Sequence, residues 1–409
     1  MTGSWAERRT LVAAAAGLTV GVLVAVLGAV LVWPDSESSP STVTDGVEAP
    51  SVPPAPTPTD ILESDPSDTE SAPDGDEGET EDDWSEGDSG GEPEEAPPIA
   101  DAAAAGEGPL PDASPVTCPA PTVEVSDAGE LADALGDADP GDVIEMSDGT
   151  YAGNFVTTDS GTASAPIFLC GSADAVIDGG DIEGGYSLHL DGATYWRLVG
   201  FSVSGGQKGV MADGTVGSVI QGLTVSGTGD EAIHLRSDST DNVVLDNTIS
   251  DTGHRRDTYG EGVYIGSAVS NWCTYTDCKA DRSDRNVVKD NTITGTSSEA
   301  IDIKEGTTGG VVVGNTFDGS AMTDGDSWVD VKGNNYLIAD NTGVHSEKNG
   351  FQTHQILPGW GDLNVFTGNH ADVGSSDYAI AAWPEESNVV KCDNTFANAA
   401  EGLSNIPCT

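Results

Sequence analysis

The chain has 409 residues, 52 of them glycine, and a formal charge of −54. So acidic a chain lacks the basic surface that nucleic-acid binding needs, and nucleic acid is excluded as a partner. Few aromatics, with much Gly, Asn, Asp and Val, fit many short strands and turns better than helices.

Residues 1–10 form a short N-terminus carrying Arg8 and Arg9. Residues 11–33 are almost wholly apolar, with Thr19 the polar exception. At about 1.5 Å per residue such a helix spans the ~30 Å core of a bilayer. The basic residues precede it and only acids follow, which places the N-terminus in the cytoplasm and the rest outside. The apolar run exceeds a signal-peptide core of about 7–15 residues. An uncleaved, single-pass anchor in the cell membrane is therefore expected, with a secreted protein as the alternative. Residues 34–116 are rich in Pro, Ser, Gly, Asp and Glu, with no Lys, Arg or His. They cannot bury enough apolar surface to fold, and read as a disordered acidic spacer.

The folded domain is expected over 117–409. Its six cysteines suit an oxidising compartment. The expected pairs are Cys118–Cys170, Cys273–Cys278 and Cys392–Cys408. Asp127 with Glu130 resembles a capping box, and Leu131 and Leu135 form one apolar stripe, predicting a short helix over 127–137. Strands follow at 142–146, 166–169 and 175–177.

From Tyr186 a repeat sets in. Its clearest mark is an asparagine after an apolar strand: Asn247, Asn291, Asn315, Asn341, Asn369 and Asn394. From Asn291 on, the spacing is roughly 24 to 28 residues, the period of a solenoid of short strands. The pattern predicts an all-β, right-handed parallel β-helix, with the short helix capping its first coil and the asparagines stacked as a structural ladder. The longer gap before Asn291 holds an insertion, about 266–285.

Five segments align as one strand: Glu231-Ala-Ile-His-Leu-Arg236, Glu261-Gly-Val-Tyr-Ile-Gly266, Glu299-Ala-Ile-Asp-Ile-Lys304, Ser327-Trp-Val-Asp-Val-Lys332 and Asn349-Gly-Phe-Gln-Thr-His354. Period-two alternation buries the third and fifth positions and turns the fourth and sixth outward, to an exposed face. The outward columns read His234, Tyr264, Asp302, Asp330, Gln352 and Arg236, Gly266, Lys304, Lys332, His354. Glu231, Glu261 and Glu299 form a third column at the strand entrance, with Asp326 next to the serine that ends it. Like charges about 4.8 Å apart need neutralising, and oxygen-only ligands suit calcium. A lysine beside another cation has a lowered pKa and can act as a base. Small residues at the second position would let a chain-like ligand approach, with Trp328 a stacking platform for a sugar ring. Arg236, Arg255 and Arg256 would grip acidic sugars, with His234, Gln352 and Trp360 also lining the path and Trp383 bordering its far side. The plainest alternative is a surface ladder of ion pairs, Asp302 with Lys304 and Asp330 with Lys332.

The run Pro140-Gly-Asp-Val-Ile, then Asp148-Gly-Thr-Tyr151 and Ala165-Pro-Ile, with the Asn-punctuated coils, resembles right-handed β-helix polysaccharide lyases of the alginate lyase and chondroitinase B type. The resemblance covers about Val125 to Asn394. It implies that Glu299 is a calcium ligand and that Lys304, five residues on, is the base that takes the C5 proton of a uronic acid. Tyr264, His354 or Lys332 would then protonate the leaving oxygen or polarise the carboxylate. Where the family has an arginine on the next coil this chain has Val331-Lys332, and where it often has serine after the lysine this chain has Glu305. The expected activity is β-elimination on an acidic polysaccharide. A glycoside hydrolase using Asp302, Asp330 and Glu299 is one rival, and a non-catalytic, membrane-anchored glycan-binding protein is another. A monomer is expected.

Overall fold

The structure, a computed structural model, describes residues 109–409. The expected N-terminus, the 11–33 anchor and the spacer as far as residue 108 lie outside the described residues. Among the described residues no helix is long and apolar enough to cross a membrane.

Every strand pairs in parallel with its counterpart one coil away, giving three sheets of 11, 10 and 10 strands. The strands are mostly three to six residues long, as a chain that turns twice or three times per coil requires. The core is one continuous column of stacked Val, Ile, Leu and Phe side chains inside the solenoid. The predicted helix forms as Ala128–Gly136. The Asp127 side chain accepts from the Glu130 amide at 2.9 Å, and the Glu130 carboxylate accepts from the Ser126 amide at 2.8 Å. Leu131 and Leu135 are fully buried in the main core, so the helix covers an otherwise open first coil. All three expected disulfides are present.

The asparagine ladder explains the sharp turn between two of the sheets. Asn315 accepts at Oδ1 from the Asn291 amide and side chain, both at 2.9 Å. It donates in turn to Asn341 Oδ1 at 3.0 Å. The residue before each of the first five ladder asparagines, Asn247 to Asn369, is left-handed: φ is 55° at Asp246, 55° at Asp290, 71° at Gly314, 54° at Asp340 and 66° at Gly368. That is why the position alternates between Asp and Gly, the residues for which this conformation costs least. A second ladder, Asn242 to Asn286, marks the preceding corner, with Asn364 and Asn388 repeating it further on.

Two expectations need correction. The end of the spacer is not detached from the domain. Val116 exchanges two hydrogen bonds with the Gln221 side chain, at 2.7 and 2.9 Å, and with Ala113 packs on Val219, Val243, Leu245 and Val287. Trp328 is not a surface platform but wholly buried. It stacks on Phe317 (6.5 Å) and meets Phe351 edge-on (5.5 Å). Gly343 leaves the slot it fills, since a Cβ there would overlap the indole. The second position of the aligned strands follows a corner, where simple alternation fails and the side chain turns inward.

Asn315→Ala would strand the buried Asn291 amide without an acceptor, at a cost of about 1–3 kcal/mol. A lower midpoint of urea unfolding with an unchanged slope is the expected readout.

Candidate functional site

The five aligned segments are neighbours in one sheet, in the expected register. His234 pairs with Tyr264, Tyr264 with Asp302, Asp302 with Asp330 and Asp330 with Gln352. The columns are therefore real, but they are not exposed. Asp302 is 1% accessible, Asp330 and Lys304 2% each. Lys304 Nζ lies 3.0 Å from Asp302. Lys332 Nζ reaches both Asp302 oxygens at 3.0 Å and Asp330 at 3.3 Å. His354 Nδ1 lies 3.0 Å from Asp330. The pairs named in the ion-ladder alternative both exist, but joined into one desolvated network across three coils, where electrostatics are far stronger than at a surface.

The 266–285 insertion helps to cover these columns. Glu305, next to Lys304, accepts from the Val269 amide at 2.7 Å. Trp272 is buried, with its indole donating to Ser267 O at 3.0 Å. Asp281 accepts from the Ser237 and Asp238 amides, both at 3.0 Å, tying the far end of the insertion to the coil beneath. Tyr275 lies 3.6 Å over the Arg236 guanidinium.

The charges settle unequally. Burial favours neutral Lys332, but Asp302 and Asp330 outweigh it and hold the ammonium well above the usual lysine range. The expectation that paired lysines would depress one another fails for Lys332, because carboxylates lie between them. Burial also opposes ionised Asp330, yet His354 and Lys332 pull its pKa below the ordinary value. Asp330 beside it raises His354 to about 9. On the acidic side, burial and then Asp302 push Glu299 up to about 7. Burial, with Glu231 and Glu299 nearby, lifts Glu261 well above its ordinary value.

The three-glutamate column divides. Glu231 gives both oxygens to Lys208 Nζ at 2.7 Å and one to His234 Nδ1 at 3.2 Å. Glu261 and Glu299 instead converge with Asp302, each offering an oxygen within 4.8 Å of the others. Glu299 also groups with Asp326 and Asp330. Glu261 Oε2 is buried without a hydrogen-bond partner. An all-oxygen donor set with excess negative charge and an unsatisfied buried oxygen fits a divalent cation such as calcium.

The remaining candidates have their own partners. His234 is buried, with Nε2 3.0 Å from Gly266 O. Arg236 is held bidentately by Asp213, at 2.8 and 3.1 Å, and Arg255 by Asp230, down to 2.5 Å. Arg256 is exposed, near the Tyr259 ring (5.5 Å). Gln352 donates to Asp326 and accepts from Asn349 at 3.0 Å. Trp360 is buried, 5.8 Å from the Arg282 guanidinium. Sequence reasoning missed Lys208 and Asp213. They belong to a sixth aligned strand, Lys208–Asp213, whose register sets Asp213 opposite Arg236. Beside that pair opens a cleft of about 310 Å³, lined by Asp191, Asp213, Arg236, Ser237, Thr274 and Tyr275.

Residues 158–286 match the family described as the right handed beta helix region. Among solved structures, an alginate lyase from Paenibacillus sp. str. FPU-7 is 34% identical, with a TM-score of 0.65, over 70% of this chain and 99% of that one. The chain belongs to the right-handed parallel β-helix polysaccharide lyase-like proteins. A rhamnogalacturonan lyase, 12% identical with a TM-score of 0.52 over 70% of this chain and 87% of that one, shares the fold. No curated protein matches this lyase-like chain.

In this lyase-like protein the His354–Asp330 pair gives a direct pH test. His354 is raised from 6.5 to about 9, so the stability it contributes is complete below about pH 6.5 and is lost as pH rises through 9. NMR titration of its ring should show the proton retained at neutral pH, and Asp330→Asn should bring the midpoint down towards 6.5.

Proposed function

We propose that this protein is an extracytoplasmic lyase that cleaves a uronic-acid-containing polysaccharide by β-elimination. One conjunction carries the reading. The chain is 34% identical to an alginate lyase along nearly that enzyme's whole length, and Lys304 lies 5.1 Å from the Tyr264 ring beside cationic Lys332. The apolar segment 11–33 would anchor it as a single-pass membrane protein with the β-helix outside, and a monomer would suffice.

Lys304 takes the proton from C5 of the uronate. The C–H electrons form the C4–C5 double bond as the C4–O bond breaks. The leaving oxygen takes the Tyr264 hydroxyl proton, and the proton on Lys304 then passes to the tyrosinate. Lys332 and His354, both kept protonated by their carboxylates, lie along the same column to neutralise the substrate carboxylate as charge develops. Glu261, Glu299 and Asp302 would hold calcium, which when bound supplies further positive charge for that carboxylate. Arg236 and Arg255, neutralised by Asp213 and Asp230, shape the path more than they attract the polymer.

A hydrolase would need a protonated acid and a second carboxylate. Asp302 and Asp330 are clamped by Lys332, which suits neither to be that acid, and Glu299 is the carboxyl that would serve.

The test is ultraviolet absorbance on a panel of uronic-acid polymers, with calcium and with chelator. A calcium-dependent rise from the unsaturated product is expected. Lys304→Ala should lower kcat by about 10²–10⁴-fold with the circular dichroism unchanged, and Tyr264→Phe should also slow turnover. New reducing ends without absorbance would replace the lyase by the hydrolase. Tight binding with no product would leave a glycan-binding protein.

A further inference from the structure

The Lys304, Lys332, His354 column does not end at His354. The next strand, Tyr378–Ala382, sets Ala382 opposite Thr353, so Trp383 follows in line with His354. Trp383 is 44% exposed, whereas Trp272, Trp328 and Trp360 are buried. Its backbone is fixed from both sides: the Trp383 amide donates to Thr353 Oγ1 at 2.8 Å, and that hydroxyl donates to the Trp383 carbonyl at 2.9 Å. A lone exposed tryptophan is unremarkable on a surface. One held rigidly at the end of a row of cationic side chains is different. It presents a flat apolar face at low entropic cost beside groups that would hold carboxylates.

We propose that Trp383 is the stacking platform of a distal subsite, taking the apolar face of a uronic-acid ring in the same polymer that lies along Lys304, Lys332 and His354. The proposal rests on the acidic-glycan reading above and adds where the bound chain leads and how long it must be. Three coil steps separate Trp383 from Lys304, about 14 Å at 4.8 Å per step. Short oligomers centred on Lys304 fall short of the indole, and longer ones reach it. The other end of the column is closed to this role, because Arg236 already lies beneath the Tyr275 ring and on Asp213. Stacking on an aromatic face supplies affinity that is nearly independent of sugar stereochemistry, while the cations read the carboxylates.

The experiment is calorimetric binding of oligouronates of increasing length (mannuronate–guluronate, galacturonate and glucuronate series) to the full chain carrying Lys304→Ala, so that none is cleaved. Trp383→Ala and Trp383→Phe are added to that background. Phe396→Ala, at a 45% exposed aromatic in a different sheet, is the control. The expected result is a loss of about tenfold in affinity for long oligomers in Trp383→Ala, equal to about 1.4 kcal/mol. Short oligomers should be unaffected, Phe should restore part of the loss, and Phe396→Ala should have no effect. Equal affinity for long oligomers with and without the indole would overturn the platform while leaving the acidic-glycan site standing. If neither the parent nor the wild-type protein binds any oligouronate, the acidic-glycan reading fails and the platform falls with it. That failure is visible before any Trp383 variant is made.

Discussion

Parallel hydrogen bonding between one coil and the next fixes a rise of about 4.8 Å, and every other feature of the domain inherits that spacing. Side chains at equivalent positions are forced to be neighbours, whether or not they are compatible. In the core this stacks Val on Ile on Phe. At the turns it stacks amide on amide, and the asparagine ladder satisfies backbone that a sharp corner would otherwise leave unbonded. On the site sheet it brings Asp302 against Asp330 and Glu261 against Glu299, pairs that two freely moving carboxylates would avoid. The molecule answers this crowding in two ways. Lys332 and His354 compensate one set of acids. The other set, Glu261 and Glu299, keeps protons to unusually high pH.

Much of this is legible in the sequence. The solenoid follows from the recurrence of asparagine, and the register from writing five segments under one another. The three disulfides paired as their positions suggested. Burial was not legible, for a definite reason. Alternation states which face a side chain takes, but not what lies over that face, and the cover here comes from the insertion and from the charged side chains themselves. Trp328 misled because a corner precedes it and the needed vacancy is created far away in sequence, at Gly343. Lys208 and Asp213 were missed because Met211 occupies the chemical position of their strand and hides its kinship with the others. The glutamate column looked uniform in sequence, and only the reach of Lys208 shows that Glu231 belongs to a different group.

The arginines carry a related lesson. In sequence, Arg236, Arg255 and Arg256 read as a grip on acidic sugars. Arg236 and Arg255 are instead spent on Asp213 and Asp230, both of which come from neighbouring coils. Lys332 and His354 are held by carboxylates in the same way, Lys332 by Asp302 and Asp330 and His354 by Asp330.

Glu305 has a wider consequence. Its carboxylate follows Lys304 directly in the chain, yet it fastens the first turn of the insertion by the Val269 amide. A loop that departs from one coil is thereby moored on the next, at the residue adjoining the lysine. Lineages descending from such a protein are not at liberty to exchange that loop as a detachable module. Any replacement must either keep a donor for this carboxylate or change the residue at its mooring, so the loop's history and the lysine's are bound to be written together.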